Sequence, residues 1–201
     1  KGRALDQEIA EDAYHTPYIR PLVQPKFRRE KKGLTPAERG TATHLVLQYL
    51  DLQNLDVPGQ VEKLRLEAKL TAEQAAAVDG PALRRFLESP LAEEMRQAET
   101  AAREYRFTVL MPARDYDPAA AEEDSILLQG VVDCWFETPE GITVVDFKTD
   151  FVQTEEDVAQ HAELYRGQLA AYSLALERVL EKAVTRKALY FLQAGKTVEI
   201  S

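Results

Sequence analysis

The chain has 201 residues, 45% hydrophobic and 29% charged, enough for one well-buried soluble domain and without an apolar run near the ~18 residues of a membrane span. Its single cysteine, Cys134, excludes an internal disulfide framework, a zinc ribbon and a four-cysteine iron–sulfur cluster, and favours a reducing, cytoplasmic setting. A net charge of -9 argues against a general nucleic-acid coat, while leaving room for a local basic groove or for acids gathered about a metal ion.

Residues 1–33 hold no sustained period, contain Pro17, Pro21 and Pro25, and end in the basic run from Lys26 to Gly33. They read as a linker or arm from an upstream region, and Lys1 in place of a methionine points the same way. Residues 34–201 form the expected domain. Thr35-Pro36-Ala37-Glu38 is a capping box with proline at the first helical position, predicting a helix through Leu52 with the apolar stripe Ala42, Leu45, Val46, Tyr49 and Leu50; His44 lies on it. A second box, Thr71-Ala72-Glu73-Gln74, predicts a short helix stopped by Gly80, and Ser89-Pro90 opens another to about Ala101. Residues 103–110 alternate as a strand, and residues 115–125 are a polar, alanine-rich loop.

Two β-branched and aromatic segments follow, residues 130–137 and 142–149, joined by Thr138-Pro139-Glu140-Gly141. They predict an antiparallel hairpin; if Glu137 and Ile142 close the loop, Asp133 falls opposite Asp146. Opposed like charges destabilise a strand pair, and each buried carboxylate also loses its hydration. Period-2 alternation sets Lys148 on the face of Asp146, so a divalent cation held by the acids with the lysine beside it would relieve the repulsion. The plainer alternative is an Asp146–Lys148 salt bridge on a solvated face. After Thr154 a helical period through Leu164, Leu169, Tyr172, Leu176, Val179 and Leu180 runs to about Lys182, followed by a strand over 187–193 and a last strand after Ala194-Gly195-Lys196. The order predicts an α/β fold, a small mixed β-sheet flanked by helices.

Four segments carry a resemblance in one order: residues 40–47 (GTATHLVL), 130–133 (GVVD), 145–149 (VDFKT) and 165–172 (YRGQLAAY). Together they resemble the nuclease domain of the RecB family within the PD-(D/E)xK superfamily, most of all the domain that ends AddA-type helicase/nuclease subunits. The resemblance implies a restriction-endonuclease-like core and a metal-dependent DNA nuclease. His44, Asp133, Asp146 and the backbone carbonyl of Phe147 would be metal ligands, and Lys148 would act on water and phosphate. Gln168 and Tyr172 match a Gln-x-x-x-Tyr motif that sits beside the site and contacts DNA or orients catalytic groups, so that both are expected among the catalytic residues; four apart on a helix, they share a face with Tyr165. Oxygen-rich ligation with one imidazole suits Mg2+, or Mn2+, better than structural zinc.

Glu104 sits in a strand that resembles the acid-plus-aromatic strand preceding the hairpin in relatives, but it is not counted among the site residues; His15 and His161 fall outside every motif. The implied partners are DNA, as the single 3′-ended strand unwound from a duplex end, upstream helicase domains, and a second, AddB-like nuclease subunit. AddB and Cas4-type relatives add cysteines for an iron–sulfur cluster, which this chain cannot build. No Gly-x-x-x-x-Gly-Lys-Ser/Thr loop is present, so ATP would enter only through an upstream helicase. A catalytically silent DNA-binding or scaffolding module and a stand-alone exonuclease of the same superfamily remain open; the three residues Asp133, Asp146 and Lys148 weigh against the first, and the linker-like opening segment against the second.

Overall fold

A turn sets the register on which the sheet is built. Gly141, at φ +138°, follows Thr138, whose Oγ1 donates to the Gly141 carbonyl at 3.0 Å. The flanking strands pair antiparallel from Thr138–Gly141 to Cys134–Val145, which is the expected register. The computed structural model describes residues 33–200 apart from 116, 117, 151 and 153, so the expected arm, but for Gly33, and His15 lie outside the described residues. The described residues from Leu34 onward form one compact unit.

Helices α1 (Pro36–Tyr49), α2 (Val57–Leu66), α3 (Ala72–Ala77), α4 (Gly80–Leu87) and α5 (Pro90–Gln97) come first. Strands β1 (Ala101–Pro112), β2 (Ser125–Thr138) and β3 (Gly141–Lys148) follow, then α6 (Glu155–Leu180), β4 (Val184–Phe191) and β5 (Lys196–Glu199). The five strands form one sheet in the order β1-β2-β3-β4-β5, antiparallel except for the β3–β4 pair. That parallel pair needs a crossover, and α6 supplies it. The expected α/β fold with a mixed sheet flanked by helices is present.

The sheet is covered on both faces. Val46 and Leu50 at the first helix, and Leu83, Phe86 and Leu91 beyond it, pack with Cys134, Phe136, Val145, Phe147 and Tyr190. Val158, Ala162, Leu169 and Leu176 of α6 pack with Val132, Trp135, Ile142, Val144, Leu189 and Phe191 on the other face. Neighbouring residues of β3 thus go to opposite layers, which makes nearly the whole strand buried.

Several boundaries differ from expectation. The first helix stops at Tyr49 because Leu50 turns extended, and Leu47, not the 45% exposed Tyr49, completes the buried stripe. Gly80 does not stop a helix; it begins α4, since Asp79 caps that helix through the Ala82 N–H and Pro81 fits the first turn. The same signal, Asp56 capping Gly59 with Pro58 in the first turn, starts α2, a helix the periodicity missed. The loop ends about where expected, but β2 begins at Ser125, before the strand start expected at Gly130. On α6, Leu164 and Val179 face solvent, while Val158 and Ala162 take the buried positions.

A Cβ added at Gly141 would lie 2.7 Å from the Ala183 carbonyl oxygen, at a φ that side chains rarely adopt. Gly141→Ala should therefore lower stability by roughly 1–3 kcal/mol, read as a drop in thermal midpoint. An unchanged midpoint would show that the turn does not constrain the hairpin.

Candidate active site

The site forms where the sheet opens. The β2–β3 ladder ends at Cys134–Val145, so Asp133 and Asp146 are not a paired rung. Instead the Phe147 N–H donates to Asp133 Oδ2 at 2.8 Å. The β1–β2 pairing breaks at the same level: Arg103 pairs with Cys134 and Tyr105 with Val132, while Glu104, between them, has φ +50°. Alternation slips there too, since Val132 joins the α6 layer whereas Cys134 joins the opposite one. A left-handed non-glycine residue in mid-strand is an uncommon, costly conformation. Here it brings Glu104 to Asp133.

His44 reaches this opening from α1. Its Nδ1 lies 3.4 Å from Asp133 Oδ1. Gly40, one helical turn earlier, lets the helix pass close to β3's end, because a Cβ there would stand 3.1 Å from Thr149 Oγ1. The Arg103 guanidinium fixes the far end of the helix: its Nη1 donates to the carbonyls of Leu47 and Leu50 at 2.9 and 2.5 Å. These are carbonyls at a helix C-terminus, where a cation is also favoured by the backbone dipoles. Ligand atoms of His44, Glu104 and Asp133 all lie within 4.8 Å of one another.

Asp146 and Lys148 occupy the end of β3 on the α6 side. Lys148 Nζ is 2.8 Å from Asp146 Oδ2 and donates to Gln168 Oε1 at 3.2 Å. Gln168 Nε2 donates in turn to Tyr172 Oη at 2.8 Å. The Tyr172 ring stacks edge-on against Phe107 at 5.9 Å, an approach that Gly130 permits, since a Cβ at that position would lie 2.7 Å from the Phe107 ring. Asp146 Oδ2 is buried, and its contact with Lys148 is an ion pair without hydrogen-bond geometry.

Electrostatics separate the two aspartates. Burial pushes Asp133 up, but His44, the Phe147 N–H and Lys148 together hold it below the usual carboxylate range. Asp146 is pushed up by burial to about 6, with Lys148 opposing and the Asp133 charge adding to the shift. Burial works against the charge on His44, yet Asp133, with Asp146 and Glu104, raises it to about 9. Glu104 is raised by burial and by the neighbouring Asp133 charge.

The structure thus brings together His44, Asp133, Asp146, Phe147, Lys148, Gln168 and Tyr172. It sets His44 with Asp133, and Asp146 with Lys148. Sequence reasoning noted Glu104 in an acid-plus-aromatic strand but did not count it among the site residues; the β1–β2 register sets it level with Asp133. One imidazole and several carboxylates are the donor types of a hard divalent cation. A buried carboxylate oxygen lacking a hydrogen-bond donor, as Asp146 Oδ2 is, fits that use. His161 stands apart, 3.8 Å from Asp150 Oδ2.

The family profile described as the PD-(D/E)XK nuclease superfamily matches residues 13–199. An AddA-type ATP-dependent helicase/nuclease protein from Acetivibrio thermocellus is 39% identical over 200 residues, covering 96% of this chain and 16% of its own length. Proteins of the same name from Ruminiclostridium cellulolyticum and Heliobacterium modesticaldum are 37% and 36% identical, covering 97% and 89% of this chain. They are covered over 16% and 13% of their own lengths, so the chain spans about a sixth or less of these relatives.

Replacing Arg103 by methionine would leave the Leu47 and Leu50 carbonyls without their buried donor. Arg103→Met should cost ~1–3 kcal/mol of stability and speed amide exchange in the last turn of α1. Exchange there at the native rate would detach Arg103 from the placement of His44.

Proposed function

The chain belongs to the PD-(D/E)XK nuclease superfamily, and on that premise we propose that it is a divalent-metal-dependent deoxyribonuclease domain. It would act as an exonuclease on the single strand delivered from an unwound duplex end by helicase domains of the same polypeptide, in double-strand-break repair and recombination. The helicase part of this reading rests on the relatives' name, ATP-dependent helicase/nuclease, and a second, AddB-like nuclease subunit is the partner it implies. Among the described residues no helix is long and apolar enough to cross a membrane.

The observation that carries the reading is the Asp146–Lys148–Gln168–Tyr172 chain of contacts set against the His44–Asp133 pair. His44, Asp133, Asp146 and the Phe147 carbonyl would hold Mg2+, or Mn2+ in its place, with Glu104 as a further donor. When bound, the ion would lower the pKa of water and offset phosphate charge. Lys148 would offer its ammonium to the scissile phosphate, where a preorganised cation stabilises the charge that develops on the oxygens. Its anchoring to Asp146 and Gln168 leaves that ammonium little reorganisation to undergo. Gln168 and Tyr172 would hold the strand, the amide toward phosphate or sugar and the tyrosine beside an unpaired base.

Turnover of single-stranded DNA with Mg2+ tests the assignment. Asp146→Ala should abolish both activity and calorimetric ion binding. Lys148→Ala should keep ion binding and lose ~10²-fold or more in kcat, as removal of one charge-stabilising donor does. Near-native turnover by Asp146→Ala would end the reading.

Proton release offers a second check. His44 is held protonated up to about pH 9, whereas a metal ligand must be neutral. Loading Mn2+ at pH 7.5 should therefore expel about one proton per ion, and the release should fade as pH rises past 9 and vanish in His44→Gln. Calorimetry in buffers of different ionisation enthalpy measures it; no release from the native chain would remove His44 from the ligands.

A further inference from the structure

Lys148 touches more than its two polar partners. Its Nζ sits 3.4 Å from the centre of the Tyr165 ring, inside the range of a cation held on an aromatic face. An ammonium has three protons to place. Gln168 Oε1 accepts one at 3.2 Å, Asp146 Oδ2 stands 2.8 Å away as an ion-pair partner, and the Tyr165 ring closes a further side of the ammonium. With the ring in place Lys148 is only 9% exposed, so the ring and not bulk water covers that side of the ammonium.

The ring is itself oriented. Tyr165 Oη donates to Asp150 Oδ2 at 2.8 Å, and Asp150 follows Lys148 by two residues in the connection from β3 to α6. His161, one turn before Tyr165 on α6, brings its Nδ1 to 3.8 Å from the same carboxylate oxygen. The first half of α6 therefore meets the end of β3 twice, through Tyr165 and Asp150 outside the strand and through Gln168 and Lys148 at its last residue. A ring fixed at both its face and its hydroxyl restricts the lysine as a wall does.

We infer that Tyr165, locked by Asp150, is a positioning residue for Lys148: its ring face holds the ammonium at the place from which it meets the scissile phosphate. The inference rests on the nuclease reading for the purpose of that placement, but the packing of lysine on ring stands independently. A displacement near 1 Å can cost ~10²-fold in rate, so a loose lysine would lower kcat while the DNA contacts, and with them KM, stay in place.

Two measurements on the full chain decide it. In proton–carbon spectra of lysine-labelled protein, with the signal assigned by its loss in Lys148→Ala, the Lys148 ε-methylene should resonate upfield of the other lysines from the ring current. It should return to the ordinary position in Tyr165→Leu and stay shifted in Tyr165→Phe. On single-stranded DNA with Mg2+, Tyr165→Leu should lose ~10–100-fold in kcat with KM within about threefold, as expected for misplacement without lost binding. Tyr165→Phe should restore most of that loss, because it returns the ring. An ordinary Lys148 resonance in the native chain overturns the inference whether or not any variant folds, and so does a Tyr165→Leu protein with native kcat. A native chain that shows the shifted lysine but cleaves no DNA would sink the nuclease assignment while the lysine–ring packing held.

Discussion

One hydrogen bond holds the site open: the Phe147 N–H donating to the Asp133 carboxylate in place of a strand partner. In a closed hairpin, backbone groups would pair there, and Asp133 would project to one face opposite Asp146. With the carboxylate as acceptor, the N–H is satisfied and the charged group is hydrogen-bonded inside the sheet instead of exposed to apolar neighbours. The ladder can then end at Cys134–Val145 without an orphaned donor at Phe147. The same break lets Glu104 twist to φ +50° on the next strand, so three strands contribute acids to one opening.

That opening explains how two layers of helix reach a common point. His44 comes from α1, on the face packed with Cys134 and Val145, whereas Gln168 and Tyr172 come from α6, on the face packed with Val132 and Val144. An unbroken sheet would keep those layers apart. They meet beyond the last residues of β3, at the carboxyl end of a parallel strand, the usual place for ligand crevices in sheets of this kind. Gly40 and Arg103 set the approach of α1, one by omitting a side chain and the other by holding carbonyls. Gly130 does the equivalent for α6 by leaving room for Phe107 and Tyr172.

The hairpin register, the capping boxes and the face shared by Asp146 and Lys148 were legible in the sequence because each depends on residues close together in the chain. The directly opposed Asp133–Asp146 pair was not realised, because alternation assumes an unbroken ladder and the break comes from the acceptor strength of a carboxylate. Gly80 was misread for a related reason: a glycine after a short helix looks like a stop until Asp79 and Pro81 are weighed as a start. Glu104 needed the register of β1 against β2, which spans the connection from Ala113 to Asp124 and carries no turn signal of fixed length. The long period on α6 marked Leu164 as buried, but the helix turns that residue outward and sets Ala162 and Tyr165 nearer the sheet.

The charges around the opening differ in what they need from their surroundings. Asp133 is stabilised as a carboxylate by a cationic imidazole and a backbone donor, so it needs no further partner to remain ionised. Asp146 is poorly provided, buried with a single misaligned ion pair, and its proton affinity rises accordingly. A site that binds a divalent cation gains most from such an under-satisfied acid, because the ion supplies charge that the protein withholds. A carboxylate already saturated with donors would have to give them up first. The two acids are thus unequally provided: Asp133 has a backbone donor and an imidazole beside it, whereas Asp146 is the acid to which an entering cation would add most.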